Sequence, residues 1–141
     1  MKISDILRQK GTDVVTAPPD ATVRELIAAL AEHRIGALVV VADREIAGIV
    51  SERDVVRRLH ERGDTLLDTE VGAIMTTEVV TCTPDDDVDG VAETMTERRI
   101  RHMPVVQGNS LAGLVSIGDV VKSRIRQLEV DRGQLEQYIT G

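Results

Sequence analysis

The stretch that decides the fold is RRIRHMPVV, at residues 98–106. It places basic and titratable side chains directly before a short apolar run. Its last eight residues repeat the pattern of RIGALVVV at residues 34–41, so that Arg34 lies 65 positions before Arg99. A search for internal repeats precedes any fold assignment, because a missed repeat misassigns the whole architecture. These two stretches indicate a duplicated unit.

The duplication extends without a gap from residue 14 to about residue 59. The sequence VVT at residues 14–16 returns at residues 79–81, and AGIVS at 47–51 returns as AGLVS at 112–116. Two copies at so long a period do not indicate a solenoid, which stacks many shorter repeats. They predict two halves that bury a core against each other.

Composition limits the classes of protein to be considered. Of the 141 residues, 42% are hydrophobic, but there is no Trp or Phe and one Tyr, so aliphatic side chains must build the core and surround any bound base. A net charge of −7 argues against sequence-independent nucleic-acid binding, which depends on Lys and Arg neutralising phosphates. No apolar run approaches the roughly 18 residues of a membrane span. A lone Cys82 excludes an intramolecular disulfide. We expect a cytoplasmic protein without membrane association.

Hydrophobic periodicity predicts the order β-α-β-β-α in each copy, after a short helix at the start of the chain. Thr22 and Glu25 form a capping box at the start of one helix. Asp85, Asp86 and Asp87 offer N-cap side chains to its counterpart, whose inner face carries Val91, Ala92 and Met95. The connector at residues 64–70 has no strong pattern. Predicted strands are 14–16, 37–41, 46–51, 79–81, 102–106 and 111–116, and predicted helices are 22–34, 52–62, 88–99 and 117–138.

Two equivalent motifs suggest a family. GIVSERD at residues 48–54 and GLVSIGD at residues 113–119 each run from the end of a strand into a helix. With these motifs in a duplicated β-α-β-β-α unit, the chain resembles a pair of CBS domains, the unit called a Bateman module. The resemblance implies an α+β fold of two repeats packed with pseudo-twofold symmetry. It divides the chain into repeats at 1–63 and 64–124 and a C-terminal helical extension at 125–141.

The motif also has a chemistry that can be read from its residues. A helix that begins directly after Ser51 or Ser116 presents unpaired backbone N–H groups and a partial positive charge, which suit a phosphate. The carboxylate of Asp54 or Asp119 can accept two hydrogen bonds from a ribose diol. The alternative is that the serines only cap helices and the aspartates are ordinary first-turn acids.

The resemblance implies two ligand clefts, each built from both repeats. One would hold an adenine nucleotide through the phosphate-binding Arg101 and His102 and the ribose-binding Asp54. An alternative is a solvated basic rim that pairs with nearby acids. The first cleft would contain Ser51, Arg53, Asp54, Val80, Ile100, Arg101, His102 and Pro104; the second would contain Val15, Ile35, Gly36, Ala37, Ser116, Asp119 and Lys122.

The two clefts are unequal, because the second has Gly36 and Ala37 where the first has Arg101 and His102. Lys122, three residues after Asp119, could substitute for the missing cations. We therefore expect AMP, ADP, ATP or an NAD-like ligand to bind in the Asp54 cleft and to bind less tightly, or not at all, in the Asp119 cleft.

The predicted function is a regulatory sensor that modulates a separate partner protein. No catalytic motif is present, no cofactor is required, and the three histidines share no metal-ligand spacing with Cys82. An apolar stripe along the last helix indicates a homodimer seam or a partner-docking face, with a helix folded back on its own module as the alternative. It comprises Val121, Ile125, Leu128, Leu135 and Ile139. A constitutive dimeric scaffold without ligand is the rival function.

Overall fold

The computed structural model describes residues 1–140, which form five α-helices, two 3₁₀ helices and two small β-sheets. The mixed α+β class, the two repeats and the long C-terminal helix are confirmed. The α-helices are α1 (Ile3–Lys10), α2 (Val23–His33), α3 (Glu52–Arg62), α4 (Val88–Arg98) and α5 (Ile117–Thr140). The strands are β1 (Thr16–Ala17), β2 (Ala37–Ala42), β3 (Glu45–Ser51), β4 (His102–Gln107) and β5 (Ser110–Ser116).

The chain divides into two compact units. One, here the first-repeat unit, comprises residues 13–80 and 108–111. The other, the second-repeat unit, comprises residues 1–12, 81–107 and 112–140. The N-terminal helix therefore packs with elements that follow it by more than 70 positions along the sequence.

The first-repeat unit is built on a three-stranded sheet. Strand β2 lies in the centre, parallel to β1 and antiparallel to β3. Helix α2 begins where the backbone N–H of Glu25 donates to Thr22 Oγ1, as the capping box predicted, and it ends at Arg34 in the left-handed conformation. Its inner face buries Val23, Leu26 and Leu30 beside the sheet residues Leu38, Val40 and Val50.

The predicted first strand of each repeat is wrong by one or two residues. Strand β1 is Thr16–Ala17, and its counterpart in the second repeat is a single parallel bridge between Cys82 and Val105. Cys82 N donates to Pro104 O at 3.0 Å, and Val106 N donates to Cys82 O at 2.8 Å. Because Pro104 has no backbone N–H, it cannot supply the bond that would extend this pairing by one residue.

In the second-repeat unit, helix α1 is held by backbone hydrogen bonds as well as by packing. Ile3 N donates to Asp86 O at 2.9 Å, and Ser4 N donates to Pro84 O at 2.9 Å. The predicted inner face of α4 is confirmed, since Val91, Ala92 and Met95 are all buried. The predicted side-chain cap is wrong: Asp87 occupies the N-cap without a side-chain bond to the helix. Instead, the Asp86 carboxylate accepts from Thr83 N at 2.8 Å.

Each repeat has a glycine in its last strand that allows a neighbouring side chain to approach closely. A Cβ placed at Gly48 would lie 2.6 Å from Met75 Sδ and 2.8 Å from the backbone oxygen of Thr76. A Cβ at Gly113 would lie 2.6 Å from Leu7 Cδ2. Met75, which follows the connector, thus packs against the first repeat's glycine as Leu7 of α1 packs against the glycine of the second.

None of the helices within residues 1–140 combines the length and the apolar composition needed to cross a membrane.

Candidate functional site

Ser51 and Asp54 form a closed hydrogen-bonded pair at the junction of β3 and α3. The Asp54 carboxylate accepts from Ser51 N at 2.8 Å and from Ser51 Oγ at 3.1 Å, while Asp54 N donates to Ser51 Oγ at 3.4 Å. This is a capping box in which Asp54 occupies the third helical position. These residues therefore have the helix-capping role that the sequence analysis gave as the alternative to ligand binding. Both side chains are half-buried.

Ser116 and Asp119 repeat this arrangement at the junction of β5 and α5. Ser116 N donates to Asp119 Oδ2 at 2.8 Å, and Asp119 N donates to Ser116 Oγ at 3.2 Å. A third residue joins them: Lys10 Nζ donates to Asp119 Oδ2 at 2.7 Å and to Leu114 O at 2.8 Å. The two aspartates are therefore alike in their local bonds and different in charge environment.

The surroundings of Asp119 lower the pKa of its carboxyl group. Burial on its own would raise the pKa of the carboxyl. The hydrogen bond from Lys10, the bonds from Ser116 and the positive charge of Lys10 outweigh that effect, so that the pKa of Asp119 lies below its ordinary value. At neutral pH Asp119 is therefore an anion, and it forms an ion pair with Lys10.

Asp119 lines a groove between helices α1 and α5. The groove has a volume of about 240 Å³ and carries three cationic side chains. One of them is Lys122, which the sequence proposed as a substitute phosphate contact, and the structure brings it together with Asp119. Cations in a groove of this kind can donate charge-assisted hydrogen bonds to an anionic ligand. The lining residues are Ile6, Gln9, Lys10, Asp119, Lys122, Ser123 and Arg126.

The residues before β2 and β4 lie next to the helix that follows in their own repeat. Gly36 O accepts from Glu52 N at 2.9 Å, and Arg101 O accepts from Ile117 N at 2.8 Å. Ala37 pairs with Ser51 across the β2–β3 ladder. Positions 36 and 101 are thus anchored by equivalent backbone bonds, but position 36 has no side chain and position 101 presents an exposed guanidinium.

The other candidates differ in accessibility. Arg53 is exposed, while Val80, Ile100 and His102 are half-buried. Pro104 is buried in β4, so any contact it makes with a ligand is limited. In the first-repeat unit, Val15 and Ile35 pack against the hydrophobic core. The structure brings Ser51, Asp54, Gly36 and Ala37 together in one unit and Ser116, Asp119, Lys122 and Arg101 O in the other.

Lys10 is a site residue that the sequence did not predict. Its pairing with Asp119 spans 109 positions, and the residue 65 positions after Lys10 is the apolar Met75. The repeat therefore carried no signal for it. Spacing in the sequence predicts the local Ser–Asp pairs. It cannot predict a lysine on a helix that lies 109 positions away in the sequence.

Two further kinds of site, a nucleophilic cysteine and a metal site, receive no support from the described residues. Cys82 is buried, and burial together with the charge of Asp86 raises the pKa of its thiol to about 12, so it is protonated at neutral pH. Between residues 1 and 140, no three His, Cys, Asp or Glu side chains lie close enough together to hold a metal ion.

Comparison with known proteins assigns the chain to a family. A family model for the CBS domain matches residues 3–61 and 71–126. A CBS domain-containing mitochondrial protein of Arabidopsis thaliana is 37% identical over 148 residues, covering 99% of this chain and 72% of that protein.

Solved structures agree. A CBS-domain containing protein of Agrobacterium tumefaciens superposes with a TM-score of 0.86 at 43% identity, over 88% of this chain and 99% of that one. A CBS domain pair in complex with 5′-methylthioadenosine and S-adenosyl-L-methionine superposes with a TM-score of 0.80 at 26% identity, over 90% of this chain and 98% of that one.

Proposed function

The chain belongs to the CBS domain family, and we propose that it is a regulatory module that binds an adenosine-containing ligand and thereby modulates a separate partner protein. Support for the ligand class comes from the CBS domain pair with bound 5′-methylthioadenosine and S-adenosyl-L-methionine. The ligand we propose here is AMP, ADP, ATP or an NAD-like molecule. The proposal includes a cytoplasmic location and no catalytic step.

The observation that carries the proposal is the half-buried Ser51–Asp54 pair. Asp54 Oδ2 accepts two bonds from Ser51, and within the first-repeat unit no ion pair reaches this carboxylate. A carboxylate has about four acceptor positions, so Asp54 retains the capacity to bind a ribose diol while it caps α3.

The remaining contacts are assigned by chemistry. Arg101 is exposed and can make a bidentate, charge-assisted contact with a phosphate, and His102 can donate to a phosphate when protonated. Arg53 adds a second exposed cation beside Asp54. Apolar side chains would enclose the adenine, since the chain has no Trp or Phe to stack on it. They are Val80, Ile100 and Pro104.

We propose that the Asp119 site binds the same ligand more weakly. Lys10 already holds the Asp119 carboxylate in an ion pair of 2.7 Å, so a ribose would have to compete with that lysine for the same group. Lys122 compensates in part by adding a cation to the same groove. The proposal assigns Ser116 to this second site as its cap residue. The apolar positions assigned to it are Val15, Ile35, Gly36 and Ala37.

Regulation requires that the ligand distinguish two states of the protein. A ligand shifts a conformational equilibrium only by its difference in affinity for the two states. We propose that nucleotide binding favours one arrangement of the repeats, or of two subunits, and that the partner protein recognises that arrangement.

The test is ligand-dependent stabilisation. A ligand that binds only the native state raises its stability, so we expect AMP, ATP, NAD or S-adenosylmethionine to raise the Tm of the wild-type protein. Arg101→Ala should abolish most of the shift caused by AMP, ATP or NAD, because it removes the phosphate contact. Arg98→Ala, an exposed arginine three positions earlier, is the matched control and should leave the shift intact.

Calorimetry then separates the two sites. Asp54→Asn keeps an oxygen that can cap α3 but loses the negative charge, and we expect it to weaken the tighter binding event by about tenfold. Asp119→Asn should leave that event unchanged. Equal losses from the two substitutions would contradict the assignment, and no stabilisation of the wild-type protein by any of the four ligands would contradict the sensor function itself.

A constitutive scaffold is the second candidate function. It is favoured by the capping boxes, because Ser51–Asp54 and Ser116–Asp119 already have a structural use that needs no ligand. In a scaffold, Arg101→Ala would change neither Tm nor assembly in the presence of nucleotide, whereas in a sensor it changes the response.

A further inference from the structure

The groove between α1 and α5 holds two cations that have no acidic partner. Lys122 and Arg126 both line it, and among residues 1–140 neither side chain forms an ion pair or a hydrogen bond. The chain has a net charge of −7, so carboxylates outnumber cations across the molecule. Two unpaired cations on one groove are therefore available to bind an anion through charge-assisted hydrogen bonds.

The cations of α5 that lie outside the groove are paired. Arg124 Nε lies 3.6 Å from Asp89 Oδ1, and Arg132 Nε lies 3.1 Å from Glu136 Oε1. The two groove cations, in contrast, are four positions apart on the same face of the helix, where like charges repel each other and destabilise a helix slightly. An anion bound between them would relieve this repulsion.

The carboxylate that lines the groove is already paired with a different cation. Lys10 Nζ donates to Asp119 Oδ2 at 2.7 Å, and Ser116 N donates to the same oxygen at 2.8 Å. Lys122, three positions after Asp119 on the same helix, is left without this partner. The lining thus combines three cations with one carboxylate, a net charge of +2.

The size and lining of the groove indicate a small, strongly polar ligand. Its volume of about 240 Å³ lies below the roughly 300–1,000 Å³ of pockets that enclose drug-sized ligands. Ile6 is the one apolar residue among the seven that line the groove, so a nucleobase finds little apolar surface there. Gln9 adds a carboxamide whose N–H groups can donate to an anion.

The groove residues come from one face of each of two helices. Positions 119, 122, 123 and 126 of α5 and positions 6, 9 and 10 of α1 follow the spacing of a single helix face. Ser123 is buried, and its hydroxyl already donates to Met1 Sδ. New contacts must therefore come from the exposed Gln9, Lys122 and Arg126. An anion held by all three side chains would link α1 to α5.

We propose that the groove between α1 and α5 binds a diphosphate group through Gln9, Lys122 and Arg126. A diphosphate carries several negative charges at neutral pH and presents oxygens at both ends, which match two unpaired cations. It can be inorganic pyrophosphate or the diphosphate of a nucleotide. The inference rests on the proposed function where that function places Lys122 in a ligand site. It goes further by adding Gln9, Arg126 and a ligand class that needs no adenosine.

Binding of inorganic pyrophosphate tests the groove directly. We expect pyrophosphate to raise the Tm of the wild-type protein above its value in sodium chloride of equal ionic strength, because the groove exists only in the folded protein. Arg126→Gln should lower the affinity measured by calorimetry at least about tenfold, since it removes a charge-assisted contact. Arg132→Gln is the matched control, because it makes the same change on the same helix outside the groove, and it should leave the affinity unchanged.

Nucleotides separate the two sources of the diphosphate. If the groove takes the diphosphate of a nucleotide, Arg126→Gln should weaken the ADP binding event that Asp54→Asn leaves intact, and it should not affect AMP, which has a single phosphate. If the groove takes the free anion, Arg126→Gln weakens pyrophosphate alone. Wild-type protein that binds neither pyrophosphate nor ADP, or equal losses in Arg126→Gln and Arg132→Gln, overturns the proposal.

Failure of the groove and failure of the sensor function give different results. Asp54→Asn should leave pyrophosphate binding unchanged, because Asp54 is not among the residues that line the groove. A protein that binds pyrophosphate through Arg126 but is stabilised by none of AMP, ATP, NAD and S-adenosylmethionine would refute the sensor function and support the groove. Stabilisation by nucleotides that depends on Asp54 and is insensitive to Arg126→Gln, with no binding of pyrophosphate, would do the reverse.

Discussion

At the scale of single residues, Lys10 makes the two repeats chemically different. Asp54 and Asp119 share the same bonds to a preceding serine, but only Asp119 has a lysine 2.7 Å from its carboxylate. Lys10, which lies on a helix distant in sequence, therefore forms an ion pair with only one of the two equivalent aspartates. This difference supports the unequal affinities proposed for the two sites.

The Lys10–Asp119 pair predicts a specific dependence of stability on pH. Since the pKa of Asp119 is lowered in the folded protein, its contribution to stability is complete above about pH 5 and is lost as the pH falls through 3.8 towards the folded pKa. Lys10→Met should therefore lower the free energy of unfolding by about 0.5–1 kcal/mol at pH 7, because the pair is partly exposed.

Urea unfolding at several pH values checks this prediction. The difference between Lys10→Met and the wild type should shrink as the buffer is acidified below pH 4, because protonated Asp119 no longer attracts the lysine. Lys2→Met, an exposed lysine directly before the same helix, provides the control and should show no such trend. A difference that stays constant down to the acid transition would mean that Lys10 acts through packing alone.

At the scale of elements, the connector between the repeats is better ordered than its sequence indicates. Residues Gly63–Asp68 form a 3₁₀ helix, and Leu66 in its middle is fully buried in the core of the first-repeat unit. A 3₁₀ turn is too short to display a hydrophobic period, so the sequence showed no pattern there. The connector is thus part of the core rather than a linker.

Leu66→Ala should be strongly destabilising. Removing a fully buried leucine leaves a cavity in the core, and we expect a loss of about 2–5 kcal/mol in the free energy of unfolding, measured by urea titration. Leu67→Ala is the adjacent control and should lose less, because Leu67 is only half-buried. Equal losses at the two positions would contradict the assignment of the connector to the core.

Elements whose signals are local could be predicted from the sequence, and those set by distant contacts could not. The capping pair of Ser51 and Asp54 spans three residues, so the motif alone located it. The first strand of the second repeat is reduced to a single bridge because Pro104, on the strand with which it pairs, lacks the N–H that would extend the pairing. A prediction from one strand cannot include a missing hydrogen bond on its partner.

At the scale of the whole molecule, the N-terminal residues pack with the second repeat rather than with the first repeat that follows them in the sequence. Residues 1–12 belong to the second-repeat unit, where Ile3 is fully buried and Ile6 and Leu7 are nearly so. The first element of the sequence thus completes the core of the later repeat. The predicted division into residues 1–63 and 64–124 describes the duplication in the sequence and remains a prediction for the folded domains.

Ile3→Ala should therefore destabilise the second-repeat unit. We expect a loss of about 2–5 kcal/mol from the cavity, with faster exchange of the amides of Ile3, Ser4 and Val88, which make the backbone bonds between the N-terminal segment and residues 84–88. Arg8→Ala, an exposed residue of the same helix, should change stability by less than about 0.5 kcal/mol. Faster exchange that begins in residues 23–33 instead would contradict this role of α1.

The position of α1 has a consequence for synthesis of the chain on the ribosome. The helix is translated before the elements with which it packs, and Asp119, which Lys10 contacts, follows 109 positions later. At about 5–20 residues per second, the nascent helix waits roughly 5–20 s for that contact. During this interval Ile3, Ile6 and Leu7 lack the core in which they are buried in the folded protein, so mutations in α1 should lower the yield of folded protein in cells.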